Sequence, residues 1–201
     1  LRYPNANGNK APALDNVSLE IGEGEFVCLL GPSGCGKTSL LNLIAGFIKP
    51  TAGRVLVQGA PVTGPSPERS VVFQDPTLFP WLKVRGNVEF GLRCMKLPRE
   101  EMQRKIDECL AMVGLSGYED SYQHELSGGM RQRAALARVL VLDPLALLMD
   151  EPFSALDANT RERLQEELLR IWHARRRAIA FVTHSVDEAA VLADRVIVIG
   201  T

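Results

Sequence analysis

Gly31-Pro32-Ser33-Gly34-Cys35-Gly36-Lys37-Thr38-Ser39 is the stretch on which the fold of this 201-residue chain turns. It matches G-x-x-x-x-G-K-[ST], with Gly31, Gly36, Lys37 and Thr38 in the fixed places. Just before it Phe26 to Leu30 is a continuous apolar run, and just after it Leu40, Leu41 and Ile44 recur at helical spacing. The order is therefore strand, loop, helix. Gly31, Gly34 and Gly36 are expected to take positive φ, so that successive backbone N–H groups converge on phosphate oxygens. A helix starting near Lys37 adds the positive end of its dipole at the same spot. Lys37 is placed to reach β- and γ-phosphates as a mobile point charge, and the Thr38 hydroxyl to ligate Mg²⁺. Pro32, Ser33, Cys35 and Ser39 complete the expected cradle. A glycine-rich turn that merely links strand to helix is the plainer alternative, and the full pattern with both flanks speaks against it.

Working outward, the chain has 46% hydrophobic residues, enough for one sizeable core or two small lobes. Its formal net charge of −1 gives no general attraction to nucleic acid or to an anionic membrane. The apolar runs are too short to span a bilayer and no signal peptide opens the sequence, so a cytosolic protein is expected. The chain opens on Leu1 and closes after the apolar run Val196 to Ile199, so it is expected to be cut at one or both ends. Cys28, Cys35, Cys94 and Cys109 have no zinc-type spacing and read as reduced thiols. Modification of Cys35 could block the loop, or its presence could reflect only the need for a small residue.

Ahead of the loop, Val17-Ser18-Leu19-Glu20-Ile21 alternates with period two and is read among short strands and turns. Tyr3 could stack on an adenine ring or be an ordinary half-buried aromatic. After the first helix, Arg54 to Val57 is a short strand, Gly59 to Pro67 a loop, and Ser70 to Phe73 an apolar strand with Gln74 at its carboxyl end. In an open parallel sheet ligands sit beyond that end, where an amide can bind Mg²⁺ and orient a water. Leu78-Phe79-Pro80-Trp81-Leu82 is either a plug on the core or a patch for a partner.

Residues 84–144 change to helical patterning, with Met102, Ile106, Cys109, Leu110 and Val113 on one face. They are expected to form a separate helical lobe inserted between 1–83 and 145–201. At Leu126-Ser127-Gly128-Gly129-Met130, Ser127 is a good N-cap, and the bare N–H groups behind it are either a second anion site or a plain helix start. Leu145 to Met149 is a buried-type strand running into Asp150-Glu151. Because successive strand side chains diverge, Asp150 can serve the Mg²⁺ shell and Glu151 the attacking water. Asp157 reads as the N-cap of a helix over 158–174 that ends in Arg175-Arg176-Arg177, where cations complement the dipole or offer a nucleic-acid patch. Ala178 to Val182 is a further strand, and His184 beyond it could donate to a γ-phosphate oxygen.

The ordered set GPSGCGKT, Gln74, LSGGM, LLMDEP, SALD and His184 resembles the ATP-binding cassette of ABC transporters over essentially the whole chain. The resemblance implies an α/β phosphate-loop ATPase core with a mainly parallel sheet, an N-terminal antiparallel β part and an inserted helical subdomain. It implies ATP and Mg²⁺ as ligands and a head-to-tail homodimer or paired cassette. Ser127, Gly128 and Gly129 would then contact the partner's nucleotide, Asp157 would couple the two sites, and Tyr3 would stack on adenine. Met130 departs from the glutamine common after LSGG, and the family's usual C-terminal extension is not seen. LLNLIAGF, VTGPSPERSVVFQD and LFPW further resemble cassettes of bacterial importers for taurine, aliphatic sulfonates and nitrate, taurine nearest. That implies a peripheral subunit on the cytoplasmic face of the inner membrane, bound to permease subunits near Gln74 to Trp81 and served indirectly by a periplasmic solute-binding protein. A soluble relative acting in translation or DNA repair fits less well, since neither a second cassette nor a long coiled coil is present. An interaction module without turnover is disfavoured by the intact Lys37, Gln74, Glu151 and His184.

Overall fold

The computed structural model describes residues 2–4, 10–12 and 14–200, the first two segments by backbone alone. In chain order the strands are β1 (Arg2–Pro4), β2 (Lys10–Pro12), β3 (Phe26–Leu30), β4 (Leu56–Val57), β5 (Ala60–Pro61), β6 (Arg69–Val72), β7 (Ala146–Asp150), β8 (Ala178–Thr183) and β9 (Arg195–Val198). The helices are α1 (Lys37–Ala45), α2 (Val84–Arg93), α3 (Arg99–Met112), α4 (Gly128–Leu140), α5 (Ala158–Arg175) and α6 (Val186–Leu192). One five-stranded sheet, in the order β6-β7-β8-β3-β9, is parallel throughout, while β1 with β2 and β4 with β5 form separate antiparallel pairs. The fold is α/β with a mainly parallel sheet.

The apolar runs become central strands because helices cover both sheet faces and water reaches neither. Period-two alternation sorts β3 between them. Phe26 and Cys28 join the cluster of Met149, Phe181, Leu168 and Trp172, whereas Val27 and Leu29 join Leu40, Leu41 and Leu148 under α1. Phe26 meets Trp172 edge-on with ring centres 5.5 Å apart. Helices α2, α3 and α4 lie between β6 and β7 in sequence, and Val88, Ile106, Leu110 and Ala134 share the first of these clusters.

All five parallel strands end at one rim. From β3 the chain goes to the far strand β6, and from β8 it crosses β3 to reach β9, so connections diverge beside β3 and leave a crevice at its carboxyl end. The phosphate loop, Gln74, Glu151 and His184 follow β3, β6, β7 and β8 and so share that rim.

Three local expectations are corrected. Residues 17–21 form no strand; Leu19 and Ile21 pack against the α1-side cluster while Val17 is exposed, so the alternation marks burial without a ladder partner. Gly59 to Pro67 is not all loop: Val57 pairs with Ala60 across Gln58 at φ 49° and Gly59 at φ 77°, a tight hairpin whose two positive angles match the right-handed strand twist. The helix that the alanines and arginines of 130–142 suggest starts two residues earlier, at Gly128, and ends at Leu140.

Candidate functional site

The loop between β3 and α1 is closed by its own lysine. Lys37 is 5% exposed, and its Nζ donates to the carbonyls of Gly31 at 2.7 Å and Pro32 at 2.8 Å. A buried ammonium needs such acceptors. Gly34 and Gly36 take φ of 83° and 101° as expected, but Gly31 does not. Gly31 is required for a different reason, since a Cβ there would lie 2.5 Å from the Ile199 carbonyl oxygen and 2.8 Å from Cys35 Sγ. Around Gly34 a Cβ would meet nothing within 4 Å, so that side of the loop is open. Pro32, Ser33 and Thr38 are exposed, Ser39 is half-buried, and Cys35 is buried beside Lys37.

Asp150 ends β7 under this loop. Burial pushes its carboxyl up, Glu151 adds to that, and the Thr38 hydroxyl bond and Lys37 pull the other way. Glu151 is not a continuation of the strand. It sits at φ 45°, a left-handed backbone costing on the order of 1 kcal/mol for a non-glycine residue. Its N–H donates to the Val182 carbonyl at 3.0 Å, and its carbonyl accepts from the Ser154 N–H at 3.2 Å and hydroxyl at 2.9 Å. The two carboxylates thus diverge through this turn as well as through strand alternation. His184 Nδ1 lies 3.0 Å from Glu151 Oε2, within hydrogen-bond reach. Lys37, Thr38, Asp150, Glu151 and His184 form one linked group. Gln74 stands exposed two residues past β6, with no hydrogen bond to that group among the described residues.

Ser127, Gly128, Gly129 and Asp157 gather elsewhere. Ser127 Oγ accepts from Met130 N–H at 3.2 Å, and Asp157 Oδ1 accepts from Thr160 N–H at 3.0 Å. That donor holds the Asp157 carboxyl below its usual range. The two caps abut: a Cβ on Gly129 would come 2.8 Å from Thr160 Cγ2, and one on Gly128 would touch Leu156. Arg161 and Glu188, which tie this turn to the His184 turn, were not singled out from sequence, although Ser185-Val186-Asp187-Glu188 has the spacing of a capping box. The side chain of Tyr3 lies outside the described residues; its backbone is in β1.

Of the residues 78–82, Leu78 plugs the core while Trp81 is 70% exposed. Beside them an open groove of about 380 Å³ is lined by Phe47, Phe73, Phe79, Phe90, Arg69 and Arg138. Arg138 lies over the Phe79 ring at 5.4 Å and donates to the Thr77 carbonyl at 2.7 Å. Arg175 and Arg177 pair with Asp143, and Arg176 stacks on Trp172 at 4.4 Å, so this basic run is matched locally. Among the described residues no group of three or more His, Cys, Asp or Glu could hold a metal ion, and no helix is long and apolar enough to cross a membrane.

Comparison with known proteins agrees with this geometry. The family described as ABC transporter matches residues 14–154. An uncharacterized ABC transporter ATP-binding protein of Methanocaldococcus jannaschii is 54% identical over 96% of this chain and 72% of its own length. A taurine import ATP-binding protein of Pseudomonas putida is 48% identical over 98% of this chain and 74% of its own. The solved dimeric structure of a bacterial ABC transporter cassette superposes with a TM-score of 0.86 at 33% identity, covering 99% of this chain and 90% of that one. The same cassette in a post-hydrolysis state with ADP and Pi gives 0.80 at 34% identity, covering 93% and 86%.

Proposed function

From the premise that the chain belongs to the ABC transporter family and is an ATPase, we propose that it drives a solute importer, with taurine as the cargo. The observation that carries the catalytic part is the linked group at the sheet rim: one ammonium, two carboxylates and an imidazole around a glycine loop. Lys37 would leave the loop carbonyls for the phosphates. Glu151 would take the proton of the attacking water, and His184 would turn from Glu151 to a γ-phosphate oxygen. The Thr38 hydroxyl stands close enough to the Asp150 carboxyl to lower its pKa, so two hard oxygen donors of the kind Mg²⁺ prefers stand together, with Gln74 on the same rim as a third. When bound, Mg²⁺ would neutralise charge developing on the phosphates.

Ser127, Gly128 and Gly129 would meet the nucleotide of a second, head-to-tail cassette, with Asp157 at that interface. Tyr3 would stack on adenine. Residues 1–83 and 145–201 would form the nucleotide-binding core and 84–144 the signature-bearing subdomain. The groove beside Trp81 would be the surface for permease subunits, and the protein would sit peripherally on the cytoplasmic face of the inner membrane; a periplasmic solute-binding protein would act indirectly.

Mg-dependent phosphate release by the purified chain tests the chemistry. Glu151→Gln should trap an ATP-bound dimer visible by light scattering, and a variant that stays monomeric in saturating Mg-ATP overturns the closure step. Taurine is supported by taurine import relatives of about half identity over nearly all of the chain. Uptake of labelled taurine should fail in cells whose copy of this subunit carries Glu151→Gln. Unchanged uptake, with sulfonate or nitrate uptake lost instead, moves the cargo.

A further inference from the structure

A buried polar chain joins the two groups of site residues. Glu188, in the first turn of α6, is buried; its Oε2 accepts from the Thr183 hydroxyl, and its Oε1 lies 3.4 Å from Gln165 Nε2 and 3.7 Å from Arg161 Nε. Thr183 Oγ1 also accepts from Ser185 N–H at 3.0 Å, so the residues on either side of His184 are bound together. Ser185 in turn caps α6, its hydroxyl accepting from Glu188 N–H at 3.3 Å. At the other end the Arg161 guanidinium donates to the Leu156 carbonyl at 2.8 Å and the Phe153 carbonyl at 3.3 Å. Leu156 lies against Gly128 at the start of α4, and Thr160, in the first turn of α5, lies against Gly129.

The chemistry of this chain is costly for a purely structural tie. Taking a carboxylate out of water costs several kcal/mol, and apolar residues of the same volume commonly hold neighbouring elements at least as firmly. What apolar packing lacks is direction. The forked guanidinium fixes two carbonyls at once and brings its charge to within 3.7 Å of the Glu188 carboxylate, and that carboxylate fixes a hydroxyl that accepts from the next N–H.

We propose that Arg161 and Glu188 are a positioning pair, which hold the His184 turn in register with the turn Ser154–Asp157 and the start of α4. A displacement of His184 at its own nucleotide is thereby carried to the surface that meets the partner's nucleotide. This rests on the head-to-tail ATPase reading above.

The test is steady-state Mg-ATP hydrolysis against ATP concentration for the wild-type chain, Arg161→Ala, Arg161→Lys, Glu188→Gln and the double variant Arg161→Ala/Glu188→Gln, each with a thermal melt. Glu188→Gln keeps the side chain's shape and one acceptor oxygen while removing the charge, and the melt reports any loss of fold that accompanies it. Arg161→Ala should lower kcat about tenfold or more, since small misplacements at a reacting centre cost up to about a hundredfold, with KM little changed and the Hill coefficient falling toward one. Arg161→Lys should recover only part, and the double variant should be no worse than the poorer single one. Additive losses, or losses that disappear once corrected for the folded fraction, overturn the proposal. A wild-type chain without hydrolysis would instead bring down the functional reading, which is a separate outcome.

Discussion

Helix α1 follows a glycine and α4 begins on one, yet their surroundings differ in kind. Before α1, Gly36 stands at φ 101° with no side-chain cap, and a lysine, two carboxylates and an imidazole are packed within one linked group. Before α4, Ser127 caps the first turn, and the nearby Arg131 spends Nη1 on the Leu126 carbonyl at 2.7 Å. The first helix start carries proton-moving groups and the second carries only oriented N–H groups. Reaction belongs where ionisable side chains converge; a bare helix start can recognise an anion but has nothing with which to change it.

Substitution can break this contrast. The largest effect is expected from Glu151→Gln, which should cut Mg-dependent phosphate release by about 10²–10⁴-fold, the usual worth of a general base, while leaving nucleotide binding intact by fluorescence titration. Equal turnover would place the base elsewhere. Lys37→Met should weaken ATP binding by roughly tenfold to a hundredfold, as expected for one charged hydrogen bond of about 1.5–3 kcal/mol.

The loop glycines sharpen the comparison on the stability side. Gly31→Ala drives a Cβ into the Ile199 carbonyl and should cost about 1–3 kcal/mol in urea unfolding, as overpacking does. Gly34→Ala meets open space and should lose only about 1–2 kcal/mol for its positive φ. If both cost the same, close approach is not what Gly31 serves. Ser127→Ala should cost about 1 kcal/mol, the worth of an N-cap, and should slow hydrolysis without altering nucleotide affinity of the lone chain.

The smallest effect concerns thiols. Burial pushes Cys28 and Cys109 up to about 12, so at pH 8 both are almost wholly protonated, whereas Cys94 is exposed. Labelling of the native chain should modify Cys94 at once and leave Cys28 and Cys109 until the protein unfolds. Early reaction of Cys28 would reveal opening of the sheet, and early reaction of Cys109 opening of the helical packing around α3.

Much of the site was legible because its signals are local. The loop, the acidic end of β7 and His184 each follow an apolar run, and parallel strands must bring such ends to one rim. Ser127 and Asp157 were legible as caps for the same reason. What escaped was set by partners distant in sequence. Gly31 is glycine because of Ile199, residues 17–21 alternate without finding a strand to pair with, and Arg161 meets Glu188 only once α5 and α6 pack. The hairpin at Gln58-Gly59 was within reach, and Gly-Pro content hid it.

The neighbours of β3 in the sheet are β8 and β9, the last strands of the chain, and the Ile199 N–H donates to Leu30 at 2.8 Å just where the phosphate loop departs. The loop that lies early in sequence is therefore completed only by a contact across more than 160 residues, whose closure entropy must be met before that contact rewards it. A nucleotide can recognise only the finished loop, so its binding reports completion of the whole sheet, and its free energy adds by mass action to the stability of the most non-local part of the molecule.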